Sequence, residues 1–196
     1  MASISFLKKL GLYIDENFLS DKECFRICQE MEQAQQSKDG IWSNQNENKY
    51  YDANTRKSNT CHVSDLTRGP IEAKLIRSKK AIESFFGNTY SRKLERPKFV
   101  RYSTGDFFAP HTDDQLNREI NMTIYLNASQ SANGYSGGSL TLYDLIKSKG
   151  WEGRGLSIPS KTGMLIAYPT EIEHEVTPIF SGYRYAVVSR YLSIDA

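Results

Sequence analysis

From about residue 95 onward the chain breaks into short runs separated by Gly, Pro, Asn and Asp, and this constrains the fold more than any other feature. Such closely spaced runs are too short for helices, so they bury their apolar faces by pairing into sheets. The predicted strands are 97–103, 107–113, 120–127, 138–143, 155–159, 163–168, 173–179 and 183–192. Eight strands in this range form a double-sheet jelly roll, also described as a double-stranded β-helix.

The first half of the chain reads differently. LGLYIDENFLS predicts a short strand ending at a helix cap. Ser20 or Asp21 can cap a helix that runs through Cys24, Phe25, Ile27, Cys28 and Met31 at helical spacing. A second helix is predicted over 69–87, with Pro70 near its start and Gly87 just past its end. The segment 37–60 is polar, carries Trp42, Tyr50 and Tyr51, and reads as a long loop with room for one strand. Loops of that length inside a compact domain tend to be functional, and this one is expected to close over the site as a lid. The fold class is therefore α+β, mainly β: a cupin-like jelly roll with the N-terminal helices packed on one sheet. The whole of 1–196 is expected to form one domain, with 1–94 as helical support and substrate loop and 95–196 as the catalytic core.

Bulk properties remove several function classes. A net charge of +2 and a pI of about 8.3 are too mild to argue for a nucleic-acid surface. No stretch approaches the ~20 apolar residues that span a bilayer, so no membrane partner is expected. The start, MASISFLKKLGLYID, has neither a long apolar core nor a small-residue cleavage site, so no signal peptide is expected. Three cysteines, Cys24, Cys28 and Cys61, make an odd and sparse set that suits a reducing cytoplasm. Cys24 and Cys28 read as small buried hydrophobes rather than as a metal pair.

Chemistry concentrates in His111, Asp113 and His174, which use two of the chain's three histidines. On a strand, residues i and i+2 point the same way, so His111 and Asp113 can grip one ion, with His174 arriving from a neighbouring strand. Two imidazoles and one carboxylate leave coordination positions open, the donor set of non-haem Fe(II) oxygenases. The adjacent Asp114 points to the other side of such a strand. His62 and Asp65 do not share a strand face and read as structural. In EINMTIYLN, Ile120, Met122, Ile124 and Leu126 form one face that should pack against the helices. The opposite face, Asn121, Thr123, Tyr125 and Asn127, points either to solvent or into the barrel. On the last strand Arg184 shares a face with Ala186 and Val188, apolar company in which a lone cation calls for an anionic ligand. Gly137 and Gly138, just before Leu140, allow either a close backbone approach or a bulge.

Arg184 stands ten residues past His174, in HEVTPIFSGYRYAVVSRYL. With RYSTGDFFAPHTD, MTIYLN, SGGSL and GMLIAYP, it makes the second half of the chain resemble the prolyl-4-hydroxylase-like branch of the Fe(II)/2-oxoglutarate oxygenases. The resemblance implies metal ligands His111, Asp113 and His174, and Arg184 as anchor of the distal carboxylate of 2-oxoglutarate. An Arg suits that task because its planar fork meets a carboxylate with two parallel hydrogen bonds. It further implies Tyr102 and Tyr125 beside that carboxylate, with Tyr125 turned inward, and Leu140 as apolar wall. Implied cofactors are Fe(II), 2-oxoglutarate as cosubstrate and O2, with ascorbate as an auxiliary reductant. The implied substrate is a prolyl residue of a protein or peptide, with hydroxylation of a free amino acid or small metabolite as the alternative. Trp42, Tyr50, Tyr51 and Trp151 are candidate walls of its pocket, and loops 128–137 and 144–154 are further candidates for binding it. Arg184 and Arg190 form an Arg-x5-Arg pair like that of nucleic-acid dealkylases, where the first Arg lies further past the histidine. A nucleic-acid partner is accordingly not expected, and Arg190 is expected outward or at the barrel rim. A non-catalytic cupin-like binding module would have no need of the three ligands and Arg184 together.

Overall fold

A computed structural model describes residues 3–42, 49–90, 93–115, 117–129 and 134–193. In chain order, the first elements are α1 (Ile4–Lys9), β1 (Tyr13–Asp15), α2 (Asp21–Gln33), β2 (Gln36–Lys38), β3 (Ile41–Trp42), β4 (Lys49–Tyr50), β5 (Arg56–Lys57) and β6 (Asn59–Cys61). Next come α3 (Asp65–Phe86), β7 (Lys98–Tyr102), β8 (Phe107–His111), β9 (Arg118–Tyr125), β10 (Ser136–Gly137) and β11 (Leu140–Tyr143). The last are β12 (Gly155–Ile158), β13 (Leu165–Pro169), β14 (His174–Val176), β15 (Ile179–Ser181) and β16 (Arg184–Leu192).

Two antiparallel sheets dominate: seven strands in the order β1-β13-β9-β16-β7-β6-β2, and five in the order β12-β11-β14-β8-β5. The architecture is mainly β, and all eight strands predicted after residue 95 are present within a few residues of their expected ends. Alternation along β9 separates two environments. Ile120, Met122, Ile124 and Leu126 lie in one buried cluster with Cys24, Ile27 and Met31 of α2 and Ile71, Leu75 and Ile82 of α3. Tyr125 joins a different cluster with Leu140, Leu142, Ile166 and Tyr168, drawn from both sheets.

The helices begin and end where side chains satisfy their free backbone groups. At the start of α2, Ser20 Oγ accepts from the Glu23 N–H at 3.3 Å, while the Glu23 carboxylate accepts from the Ser20 N–H at 2.8 Å. The helix α3 starts one turn before the predicted residue 69. Glu30 of α2 accepts from the Ser64 N–H at 2.6 Å and from the Thr67 hydroxyl, which caps the additional turn. Pro70 therefore sits inside the helix, where it has no N–H to donate to the preceding turn. Gly87 ends it with φ of 73°.

The segment 37–60 departs furthest from its predicted loop. It contains β3, β4 and β5 and most of β2 and β6, and it is woven into both sheets: β5 pairs with β8, and β6 pairs with β7. Polar composition hides these strands, because what holds them is edge pairing and a buried charge rather than an apolar face. Asp39 is fully buried and accepts from Ser58 Oγ at 2.7 Å and Arg56 Nη2 at 2.9 Å, with Thr60 and Lys98 as further partners. Residues 43–48, the tip of the expected lid, lie outside the described residues, as do the side chains of Trp42 and Tyr50. Residues 130–133 of the candidate binding loop 128–137 lie outside them too.

Candidate active site

His111 ends β8 and His174 opens β14, two adjacent strands of the smaller sheet in which these residues face each other across the ladder. Their rings lie 4.2 Å apart. Asp113 lies two residues past the end of β8 rather than on it. Its position is set by its N–H donating to Thr170 O at 2.9 Å, while Thr170 Oγ1 donates to Arg118 O at 2.8 Å. One donor atom from each of His111, Asp113 and His174 falls within 4.8 Å of the others, and among the described residues this is the cluster that could hold a metal ion.

The imidazoles are prepared for that role. His111 Nδ1 lies 2.8 Å from Ala109 O and His174 Nδ1 lies 2.9 Å from Ile172 O. A carbonyl only accepts, so each Nδ1 carries the proton and each Nε2 keeps its lone pair for a cation. His111 stacks on Phe108 at 3.5 Å, with the Arg56 guanidinium 4.3 Å from the other ring. Burial pushes the His111 pKa down to about 3, which keeps it in the neutral, ligating form. Burial alone would raise the pKa of Asp113, but Arg190 and the two imidazoles outweigh it and hold the carboxyl well below its ordinary value.

These ligands line a cavity of about 390 Å³ that also reaches Tyr102, Leu140 and Arg184. Arg184 opens β16 on the larger sheet, opposite Tyr102 on β7. It is 2% exposed, with its guanidinium carbon 5.2 Å from the Tyr102 ring and 5.4 Å from the Tyr125 ring. Burial opposes its charge, yet the hydroxyls of Tyr135, Tyr125 and Tyr102 more than offset this and move its pKa up. Arg184 Nε and the Tyr125 hydroxyl are both buried without a hydrogen-bond partner. Orphaned donors beside a buried cation suit an anionic ligand, which would satisfy both. A Cβ on Gly138 (φ 62°) would collide with the Ile179 side chain and come within 3.3 Å of Arg184 Cδ, so the backbone approaches closely there. The neighbouring Gly137 marks a register shift in the β10–β15 pair, so the two glycines serve both purposes left open by the sequence.

Several expectations need correction. Arg190 is not at the rim: it lines the same cavity and its Nη2 donates to Asp113 Oδ2 at 2.7 Å. Parity along β16 could have revealed this, since residues 184, 186, 188 and 190 share one strand face. Tyr51 and Trp151 are 44% and 41% exposed and do not line the cavity. Asn127, expected on the inward face of β9, lies beyond its end and bonds Tyr183 O and Tyr185 N at 2.7 and 2.9 Å. Asp114 turns to Thr112 Oγ1 at 2.8 Å, and His62 to Ser37 Oγ at 2.8 Å. Sequence reasoning overlooked Tyr135, which the Gly-rich SGGSL neighbourhood conceals, and Tyr168, whose ring meets His174 edge-on at 5.2 Å.

A two-histidine, one-carboxylate cluster set between the sheets of a jelly roll offers the donor set that non-haem iron oxygenases use. Residues 97–191 match the 2OG-Fe(II) oxygenase superfamily. The chain is similar in sequence to PKHD-type hydroxylases and in fold to prolyl hydroxylases. It is 27% identical over 166 residues to a PKHD-type hydroxylase of Shewanella oneidensis, covering 80% of this chain and 70% of that protein. A PKHD-type hydroxylase of Shewanella baltica is 31% identical over 98 residues, covering 46% of this chain and 39% of that protein. In fold, the chain is similar to a prolyl hydroxylase from Trichoplax adhaerens solved with a peptide fragment of hypoxia inducible factor, at a TM-score of 0.70 and 19% identity, covering 95% and 86% of the two chains. A prolyl-4-hydroxylase of Pseudomonas putida superposes with a TM-score of 0.64 at 16% identity, covering 93% and 92%.

Proposed function

We propose that this chain is an Fe(II)- and 2-oxoglutarate-dependent dioxygenase that hydroxylates an unactivated C–H bond, with a prolyl residue of a protein or peptide as its substrate. The observation that carries the reading is that one cavity holds both the His111, Asp113 and His174 donors and the buried, partly unpartnered Arg184. Nε2 of each histidine and one oxygen of Asp113 would hold the iron. Arg184 would bind the distal carboxylate of 2-oxoglutarate through its fork, with Tyr102 and Tyr125 beside it and Leu140 as an apolar wall. Once bound, the iron supplies the oxygen chemistry that couples loss of CO2 from 2-oxoglutarate, leaving succinate, to insertion of one oxygen atom into the substrate. This chain's own residues orient the partners and keep water away, the latter through Leu140, Val176, Val188 and Met122 in the cavity wall. The PKHD-type relatives, aligned over as much as 80% of this chain, support a hydroxylase reading.

The test is incubation of the protein with Fe(II), 2-oxoglutarate and a set of proline-containing peptides beside a panel of free amino acids, followed by mass spectrometry. Gain of one oxygen atom at a prolyl residue, matched by succinate, is the expected result. Oxygen incorporated only into free amino acids would replace the peptide substrate by a small metabolite.

A further inference from the structure

We propose that Arg190, Arg118 and Glu95 form a positioning ring that holds the Asp113 carboxylate in the attitude needed to ligate a divalent cation. The proposal rests on the metal assignment above. Asp113 needs such a device because it lies beyond the end of β8, where its N–H to Thr170 O positions the backbone but not the side-chain torsions. Arg190 Nη2 donates to Asp113 Oδ2 at 2.7 Å, and Arg118 Nη1 lies 3.7 Å from Asp113 Oδ1. The other arms of both guanidinium groups reach Glu95, Arg118 Nη2 at 2.7 Å from Oε1 and Arg190 Nη1 at 3.1 Å from Oε2. Charges alternate around this closed ring of four.

Each member is fixed by more than the ring. Arg190 Nε donates to Asn121 Oδ1 at 2.9 Å, on the strand paired with its own. The Glu95 N–H donates to Arg190 O at 2.9 Å, and Ser189 Oγ donates to Glu95 O at 2.5 Å. The Arg118 carbonyl is held by Thr170, the residue whose own carbonyl takes the Asp113 N–H. The arginine side chains are 8% and 16% exposed, so solvent screens these contacts little.

Two consequences follow. Oδ2, which accepts from Arg190, also lies 3.5 Å from His174 Nε2, so the arginine fixes the oxygen that is turned toward the histidines. Two guanidinium groups beside a cation site would repel the cation, and Glu95 offsets that charge while fixing the angle of both forks. Glu95 touches neither the triad nor Arg184 among its hydrogen bonds, so its contribution is exerted through Asp113.

Co(II) binding, followed by calorimetry and visible absorption in the absence of 2-oxoglutarate, reads this directly without turnover. Glu95→Gln removes the countercharge at a side chain that is 33% exposed and is expected to fold. Arg190→Lys keeps the charge but loses the fork that spans both carboxylates. Circular dichroism and a thermal melt confirm that each variant is folded at the assay temperature. Both variants should weaken Co(II) binding about tenfold or more, as loss of a group holding a metal ligand does. Arg190→Lys should also change the visible bands, because the Asp113 carboxylate is no longer held at a fixed angle to the histidines. Variants that bind Co(II) as tightly as the parent, or more tightly, with an unchanged spectrum, overturn the positioning role. A parent protein that binds no Co(II) overturns the metal assignment itself and, with it, the proposal.

Discussion

At the scale of single residues, the two arginines of β16 divide the work by position along one strand face. Arg184 sits among tyrosines with an unpartnered Nε, while Arg190, six residues on, has every nitrogen engaged by Asp113, Glu95 or Asn121. A cation whose donors are already occupied is a poor anchor for a free acid, so the proposed function gives the cosubstrate to Arg184. Arg184→Ala should raise the KM for 2-oxoglutarate by roughly 10- to 150-fold, the equivalent of the ~1.5–3 kcal/mol of a hydrogen bond to a charged group. Initial rates at varied 2-oxoglutarate check this, and an unchanged KM would move the anchor away from Arg184. The candidate ligands and Arg184 stand out in the sequence by spacing and family resemblance together: Asp113 is two residues past His111, and Arg184 ten past His174. Arg190 was equally legible from strand parity and was misplaced only because its partner, Asp113, is distant in sequence. Nothing local signals a contact between residues 77 apart.

At the scale of elements, the strands after residue 95 were readable because each buries an alternating apolar face. Those between residues 36 and 61 were not, because β2 and β5 bury almost nothing apolar and rely on pairing to β6 and β8. Asp39 is their anchor: fully buried, it ties this segment to Lys98 of β7 and to Arg56, whose guanidinium covers the Phe108 ring that stacks on His111. Burial would raise the Asp39 pKa, but Arg56 and Lys98 overcome it and lower the pKa to about 2. Because the folded pKa lies below the unfolded value, this carboxylate's stabilisation is complete above about pH 4 and is lost as the pH falls towards 2. Asp39→Asn leaves two cations without their buried partner, so it should cost about 3 kcal/mol at neutral pH. It should also flatten that acid-dependent loss. Urea unfolding at pH 7 and at pH 3 measures both effects. A variant as stable as the parent at pH 7 would show that the segment holds by strand pairing alone.

At the scale of the whole molecule, the two sheets contribute different halves of one site. The smaller sheet brings the histidines together on β8 and β14, and the larger supplies Arg184 and Arg190 on β16. Among the described residues no helix is long and apolar enough to cross a membrane. The central claim is that this single cavity couples 2-oxoglutarate to a metal held by His111, Asp113 and His174. The most direct measurement is the Fe(II)-dependent formation of succinate from 2-oxoglutarate under air, in the parent protein and in His174→Ala, with folding of both checked by circular dichroism. The account predicts succinate that requires added Fe(II) and O2 in the parent, and at least a hundredfold loss in a folded His174→Ala variant, about 2.7 kcal/mol or more in the barrier. Succinate formed at the parent rate by His174→Ala, or none formed by the iron-loaded parent with 2-oxoglutarate present, would contradict it.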